Sequence, residues 1–132
     1  MRSRVITAPA MIVAYNIESG KLGALKDICG RENMKLREVS REEANCQIGF
    51  LCGFKGFQPP AEKCDVSPEE ECLVFSGVDR RRLQQILEML KSSGVYVPLK
   101  AVCTPSNQSW TVSELITELL KEHKALNGGG GR

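Results

Sequence analysis

Two thiols are the side chains of this sequence best suited to nucleophilic chemistry. Cys46 follows Asn45 at a predicted helix start, where the helix dipole favours a thiolate. Cys103 directly follows a predicted strand, 95–102. Thiol catalysis also needs a base, but the single histidine, His123, lies beside the glycine-rich end of the chain. We therefore favour a non-catalytic role and keep a small-molecule enzyme with Cys46 or Cys103 as nucleophile as the alternative.

The cysteine spacing argues against a metal site. The chain has six cysteines, no C-x-x-C pair and one histidine, so the usual zinc and iron–sulfur patterns are missing. There is also no G-x-G-x-x-G fingerprint, Walker loop or G-x-S-x-G elbow. We predict no metal and no cofactor. The opening residues do not fit an export signal, so we place the protein in the cytoplasm, where we expect the thiols to be free.

Two short stretches carry side chains suited to binding. In "TPSNQSW" (104–110), Asn107, Gln108 and Trp110 offer polar groups and an aromatic face next to a helix N-terminus. The alternative is that Asn107 shapes the turn, Ser109 or Thr111 caps the helix, and Trp110 covers the core.

The second stretch is "DRRRL", which puts three arginines on a first helical turn, against the helix dipole: Arg80, Arg81 and Arg82. This placement suggests contact with an acidic partner or a phosphate. The alternative is a solvated face.

The elements that position these residues form a pattern that occurs twice. Residues 11–36 align with residues 72–97, so that the apolar runs "MIVAY" and "CLVFS" coincide and Asn33 falls on Gly94. Each apolar run predicts a buried strand. Each is followed by a helix with an apolar stripe at 3.6-residue spacing and then by a second strand, "KLREV" or "VYVPLKAV". A strand, a helix and a strand in this order favour a parallel β-α-β unit of right-handed sense. Pro98 predicts either an edge position or a bulge for the last strand, 95–102.

The stretch "ANCQIGFLCGFKG" (44–56) combines two cysteines, three glycines and two phenylalanines. Residues 45–53 align with 109–117, where Thr111 and Glu114 predict a capping box. By analogy we expect a short helix over 46–54 capped by Asn45. Gly49 and Gly53, one turn apart, would let this helix approach a neighbour closely.

The predicted fold is a single α/β domain of two β-α-β-α half-repeats, with a four-stranded, mostly parallel sheet and helices packed on it. We divide the chain into an arm (1–9), the domain (10–126) and a disordered glycine-rich tail (127–132). Within the domain, a linker (55–70) joins the half-repeats 10–54 and 71–126. The sequence leaves open whether the halves run parallel or are related by a two-fold axis. The first arrangement brings the strand-end loops together in one groove, and the second separates them into two sets.

The second half resembles an uncharacterised bacterial family, domain of unknown function 3783. The resemblance rests on "LVFSG", the helix after it and "VPLKAVCTPSNQSWTVSEL", and it covers about residues 71–124. "IVAYN" and "CQIGFLCG" are similar to the upstream half of longer members. The resemblance implies a family without an established activity.

Composition narrows the class of function. A chain of 132 residues with 42% hydrophobic and 26% charged residues is typical of one soluble domain, and a net charge of +2 argues against nucleic acid as a partner. No apolar stretch is long enough for a membrane span. We predict a small binding or protein-interaction module with a small anion or a protein as partner. A self-associating structural module, as a homodimer, is a further alternative.

Overall fold

Two fully buried apolar strands form the centre of the protein. In the computed structural model, which describes the backbone of residues 9–129 and the side chains of residues 9–124, all five residues of each are buried. The elements in chain order are β1 (Met11–Tyr15), α1 (Ser19–Arg31), β2 (Lys35–Val39), a 3-10 turn (Arg41–Glu43), α2 (Ile48–Leu51), β3 (Cys72–Ser76), α3 (Arg80–Ser92), β4 (Leu99–Val102) and α4 (Val112–Gly129). The predicted arm, except Pro9, and the last part of the predicted tail lie outside the described residues; up to Gly129 that tail continues α4.

The four strands make one sheet in the order β2-β1-β3-β4. Both outer pairs are parallel, as a β-α-β unit requires, whereas β1 and β3 pair antiparallel at the centre with Val13 opposite Val74. The sheet is therefore mostly parallel, as predicted. The antiparallel centre settles the question that the sequence left open, because it directs the carboxyl ends of β1 and β2 to one end of the sheet and those of β3 and β4 to the other.

Helices cover both faces of the sheet. The alternation of side chains along β1 and β3 sends Ile12, Leu73 and Phe75 into one core, where α1 and α3 pack. It sends Val13 and Val74 into a second core beneath α2 and α4. The result is a three-layer α/β domain, the fold class that the sequence predicts. Along the described part of the chain, the helices are too short or too polar to cross a bilayer.

The connections that end α1 and α3 agree with the sequence, but the strand after α3 does not. Asn33 and Gly94 both have positive φ, 55° and 74°, as expected where a helix gives way to a strand. The strand predicted over 95–102 is shorter, since β4 begins at Leu99, directly after Pro98, and lies at the sheet edge. Pro98 has no backbone N–H to donate, which explains why regular pairing starts only after it.

The segment before α2 is not part of that helix, because residues 44–46 form a turn and a bend and Gln47 is extended. Helix α2 begins at Ile48 and not at Cys46, and Gln47, not Asn45, precedes it. The reason is a short antiparallel ribbon between residues 44–49 and 108–113, which contains the Gln47–Thr111 bridge. Pairing with a second chain segment holds Gln47 in an extended conformation, so α2 begins only at Ile48. Sequence periodicity does not show that interaction.

The linker (55–70) is fastened to the first half. The Tyr15 hydroxyl donates to the Pro68 carbonyl at 2.7 Å, and the Asn45 side-chain amide donates to the Glu62 carbonyl at 2.8 Å. At its start, the ring of Phe57 lies against Gly49. The linker therefore covers part of the α2 side of the sheet.

Candidate functional site

Asn107 is fully occupied in shaping the loop between β4 and α4. Its side-chain oxygen accepts from the Thr104 amide at 2.9 Å, and its side-chain nitrogen donates to the Val102 carbonyl at 3.0 Å. In addition, the Asn107 amide donates to the Thr104 hydroxyl at 3.2 Å. The amide group of Asn107 therefore has a turn-forming role in the structure, which is the alternative considered from the sequence.

Trp110 lines an open groove at the start of α4. We call this the Trp110 groove; its volume is about 320 Å³, and its walls are Trp110, Ser113, Glu114, Thr117 and Glu118. The capping box predicted for α4 is confirmed, because the Thr111 amide donates to Glu114 at 2.8 Å and the Glu114 amide donates to the Thr111 hydroxyl at 3.1 Å. This box fixes the first turn of α4 and hence the wall of the groove.

The groove combines an aromatic side chain with two carboxylates. Glu114 is held by the capping box, and Glu118 forms an ion pair with Lys121 at 3.2 Å. Sequence reasoning selected Trp110 but missed the acidic wall. The signal was present as a second helical stripe, at positions 110, 113, 114, 117 and 118, beside the buried stripe that contains Val112, Leu115 and Ile116.

Two buried polar atoms in this region have no hydrogen-bond partner among the described residues. They are the Ser113 hydroxyl oxygen, on the wall of the Trp110 groove, and the side-chain oxygen of Asn45. A buried polar atom without a partner is costly, by about 1–3 kcal/mol.

The ribbon gives Ser113 a counterpart in the first half. The Ile48 amide donates to the Trp110 carbonyl and the Val112 amide to the Cys46 carbonyl, at 2.8 and 3.1 Å. One step further out, the Gly49 amide donates to the Gln108 carbonyl at 2.7 Å, and the Ser113 amide donates to the Ala44 carbonyl at 2.9 Å.

Gly49 and Ser113 therefore hold matching positions on the two sides of the ribbon, each in the first turn of its helix. They differ in what covers them. A Cβ on Gly49 would lie 2.5 Å from the ring of Phe57, so the linker closes directly over this position. Ser113 instead faces the open Trp110 groove. The close approach predicted for Gly49 is thus observed, while Gly53 serves a different purpose, with a positive φ of 83° after the end of α2.

The three arginines do not form one patch. The Arg82 guanidinium donates to the Glu32 carbonyl, where it caps the C-terminal end of α1, and Asp79 accepts from the Arg82 amide at 2.8 Å to cap α3. Arg80 and Arg81 are exposed and form no ion pair with any described residue. No hydrogen bond within the described part of the chain joins these arginines to Asn107, Gln108 or Trp110. The predicted binding residues therefore fall into separate groups.

The two thiols considered as nucleophiles are both stabilised in the protonated form. Burial, with Glu43 nearby, raises the pKa of Cys46, which lies before α2 rather than on its first turn. The pKa of Cys103 is raised by hydrogen bonding to Cys52 and by burial. His123 is exposed near the end of the described side chains. Within residues 9–124, no three His, Cys, Asp or Glu side chains cluster as metal ligands.

Comparison with known families identifies the second half. Residues 71–126 match the model of the family described as Domain of unknown function (DUF3783), which confirms the resemblance seen in the sequence. No significant match exists among curated proteins or among solved structures. The family description carries no activity, so a function has to be argued from the geometry.

Proposed function

We propose that this chain, whose second half matches a domain family of unknown function, is a non-catalytic module that binds an extended segment of a partner protein in the Trp110 groove. The observation that carries the proposal is the contrast across the ribbon. The first-half position, Gly49, is covered by Phe57 from the linker, whereas the second-half position, Ser113, is open.

We also infer that the two halves are copies of one unit. Gly49 and Ser113 are then equivalent positions, and a difference in what covers them can be compared directly. The support is the symmetry of the pairing. Val13 and Val74, aligned by sequence, face each other at the centre of the sheet, and the aligned residues Gln47 and Thr111 face each other in the ribbon. An approximate two-fold axis through both pairs would exchange Gly49 with Ser113. The surface that the linker covers in one half then has an uncovered equivalent in the other.

The chemistry of the groove defines the partner segment. An aromatic side chain can stack on Trp110, as Phe57 packs at Gly49, although Ser113 makes the floor of the groove shallower than a glycine does. Glu114 and Glu118 favour a basic residue close to that aromatic side chain. The linker itself has this pattern, since Lys55 precedes Phe57 by two positions.

The six free thiols support a cytoplasmic location for such a module. The exposed Arg80 and Arg81 lie on α3, in the layer opposite α4, and we assign them no part in the groove.

Tryptophan fluorescence provides a direct test, because Trp110 is the only tryptophan of the chain. The probe is a capped synthetic peptide with the sequence of residues 55–61, KGFQPPA. We expect a saturable change in Trp110 emission, and we expect it to disappear when the peptide carries Phe57→Ala. The absence of a saturable change, or an equal response to the Phe57→Ala peptide, would overturn the proposal.

A charge variant tests the acidic wall. Glu118→Lys should weaken peptide binding several-fold at low salt, because it replaces one of two carboxylates by a cation. Glu88→Lys makes the same charge change on the exposed side of α3 and should leave binding unchanged. Equal effects of the two variants would show that net charge, and not the groove, attracts the peptide.

A further inference from the structure

Three polar side chains meet in the otherwise apolar core beneath α2 and α4. Ser76, at the end of β3, is 2% exposed and is the one buried polar residue in the described part of the core. Cys52, which ends α2, is 4% exposed and belongs to the same cluster, and Cys103 packs against it. Their placement on the sheet follows from the strand register.

The β3–β4 ladder brings Cys103 beside Ser76. The Cys103 amide donates to the Phe75 carbonyl at 2.8 Å, which continues the parallel pairing one residue beyond Val102. Side chains alternate along a strand, so Cys103 shares the α2 side of the sheet with Ser76. Cys52 lies on the same face of the sheet, at the end of α2. Met11 pairs with Ser76 on the neighbouring strand β1, and Met11 and Cys52 line the same pocket.

That pocket gives Cys52 a route to solvent. It has a volume of about 510 Å³, and Arg37 and Lys35 lie on its wall. The Arg37 guanidinium is held 5.6 Å above the Phe50 ring, on the α2 side of the sheet. Hydrogen bonding to Cys103 outweighs burial and lowers the pKa of the Cys52 thiol, and Ser76 and Arg37 act in the same direction. The pKa of Cys103 is raised, so Cys52 is the thiol of the pair that loses its proton more readily.

We propose that Cys52 and Cys103 form a reversible intramolecular disulfide when the protein meets a peroxide. In the first step the Cys52 thiolate attacks one peroxide oxygen, the O–O bond breaks and hydroxide leaves, which gives a sulfenic acid on Cys52. In the second step the Cys103 sulfur attacks the Cys52 sulfur, and the Cys103 proton leaves with the sulfenic oxygen as water. Two thiols are oxidised, and one peroxide is reduced to two waters.

The disulfide would connect the two halves of the protein. It joins the end of α2, in the first half, to the end of β4, in the second half, across a long stretch of chain. A cross-link between distant segments restricts the unfolded chain, so the oxidised form should unfold at a higher temperature than the reduced form. A thiol reductant reverses the change. This inference does not depend on the Trp110 groove.

The test is stoichiometric oxidation of the full chain with hydrogen peroxide, followed by alkylation of the remaining thiols, proteolysis and mass spectrometry. We expect a cross-linked Cys52–Cys103 peptide that has lost two hydrogen atoms, four alkylated cysteines and a raised Tm, all reversed by dithiothreitol. A different cysteine pair, or full alkylation of both thiols after peroxide treatment, would overturn the proposal.

Two variants separate the roles of the thiols. In Cys103→Ala, Cys52 should accumulate as a sulfenic acid that dimedone traps, and no disulfide should form. Cys29→Ala is the matched control, since the Cys29 thiol is buried in the other core and burial raises its pKa to about 11. This control should still form the Cys52–Cys103 bond. If dimedone labelled Cys103 in the Cys52→Ala variant as fast as it labels Cys52 in the Cys103→Ala variant, Cys52 would not be the thiol that reacts first with peroxide.

Discussion

Gly49→Ala tests the close contact between the linker and α2. The substitution adds a single methyl group inside a helix, at a position without positive φ. That methyl carbon would lie 2.5, 2.7 and 2.8 Å from three ring atoms of Phe57, much closer than van der Waals contact. The ring must therefore move outward, and the packing of the linker on the first half must loosen.

The size of the effect follows from two opposing contributions. Replacing a helical glycine by alanine stabilises by about 1 kcal/mol in the absence of steric conflict. Overpacking at a closely packed site costs about 1–3 kcal/mol. We expect Gly49→Ala to lower the free energy of unfolding by about 1 kcal/mol. Without the ring, in the Phe57→Ala background, the same change should raise it by ~0.5–1 kcal/mol, as for a glycine with no neighbour to displace.

Urea denaturation of the four proteins of this double-mutant cycle measures the coupling, which we expect to be about 2 kcal/mol. Gly23→Ala is the internal control, because it lies in α1 with nothing within 4 Å of the added methyl carbon. It should stabilise in both backgrounds. If Gly49→Ala stabilised the protein as Gly23→Ala does, Phe57 would not cover this position, and the comparison on which the Trp110 groove rests would lose its basis.

Two further substitutions test the contacts that position the halves. Partial burial would raise the pKa of Glu71, but hydrogen bonds from the Lys21 ammonium and the Glu18 amide outweigh it and lower the pKa from 4.5. A carboxyl whose pKa is lowered in the folded state contributes stability that is present above about pH 4.5 and is lost on acidification. Glu71→Gln lacks this carboxyl. In urea titrations between about pH 6 and pH 3, the variant should therefore lose less stability than the wild type. An equal loss in both proteins would contradict this. Thr111→Ala removes the hydroxyl that accepts from the Glu114 amide and should lower the free energy of unfolding by ~1 kcal/mol; an unchanged urea midpoint would mean that the cap does not stabilise α4.

Local patterns were enough to predict most of the architecture. The two five-residue apolar runs, the helical stripes and the residues with positive φ at 33 and 94 are properties of short segments, and each appears where it was expected. The capping box at the start of α4 is equally local. The sheet is mostly parallel because each half needs a helix to connect its two strands.

The features that the sequence left open or predicted wrongly have a common cause, which is pairing between distant segments. The antiparallel β1–β3 pairing and the ribbon around Gln47 and Thr111 depend on how the two halves meet. The residues of one segment do not indicate which distant segment it will pair with. Because of the ribbon, α2 is shorter than the helix expected over 46–54, and Cys46 does not lie at a helix start. Likewise, Arg82 donates a hydrogen bond to the end of α1, so it is separated from the exposed Arg80 and Arg81.

The meeting of the halves also explains why the match to a single half does not describe a complete structural unit in this chain. Residues 71–126 contain β3, α3, β4 and most of α4, which is one parallel strand pair with a helix on each face. In that pair, the fully buried strand β3 would have one open edge, with its backbone groups on that side unpaired. A segment of this length buries a smaller share of its surface than the whole domain does, so its stability alone would be marginal. Here β1 closes the edge of β3 and the 44–49 segment pairs with the start of α4, so the first half supplies the surface that the second half needs.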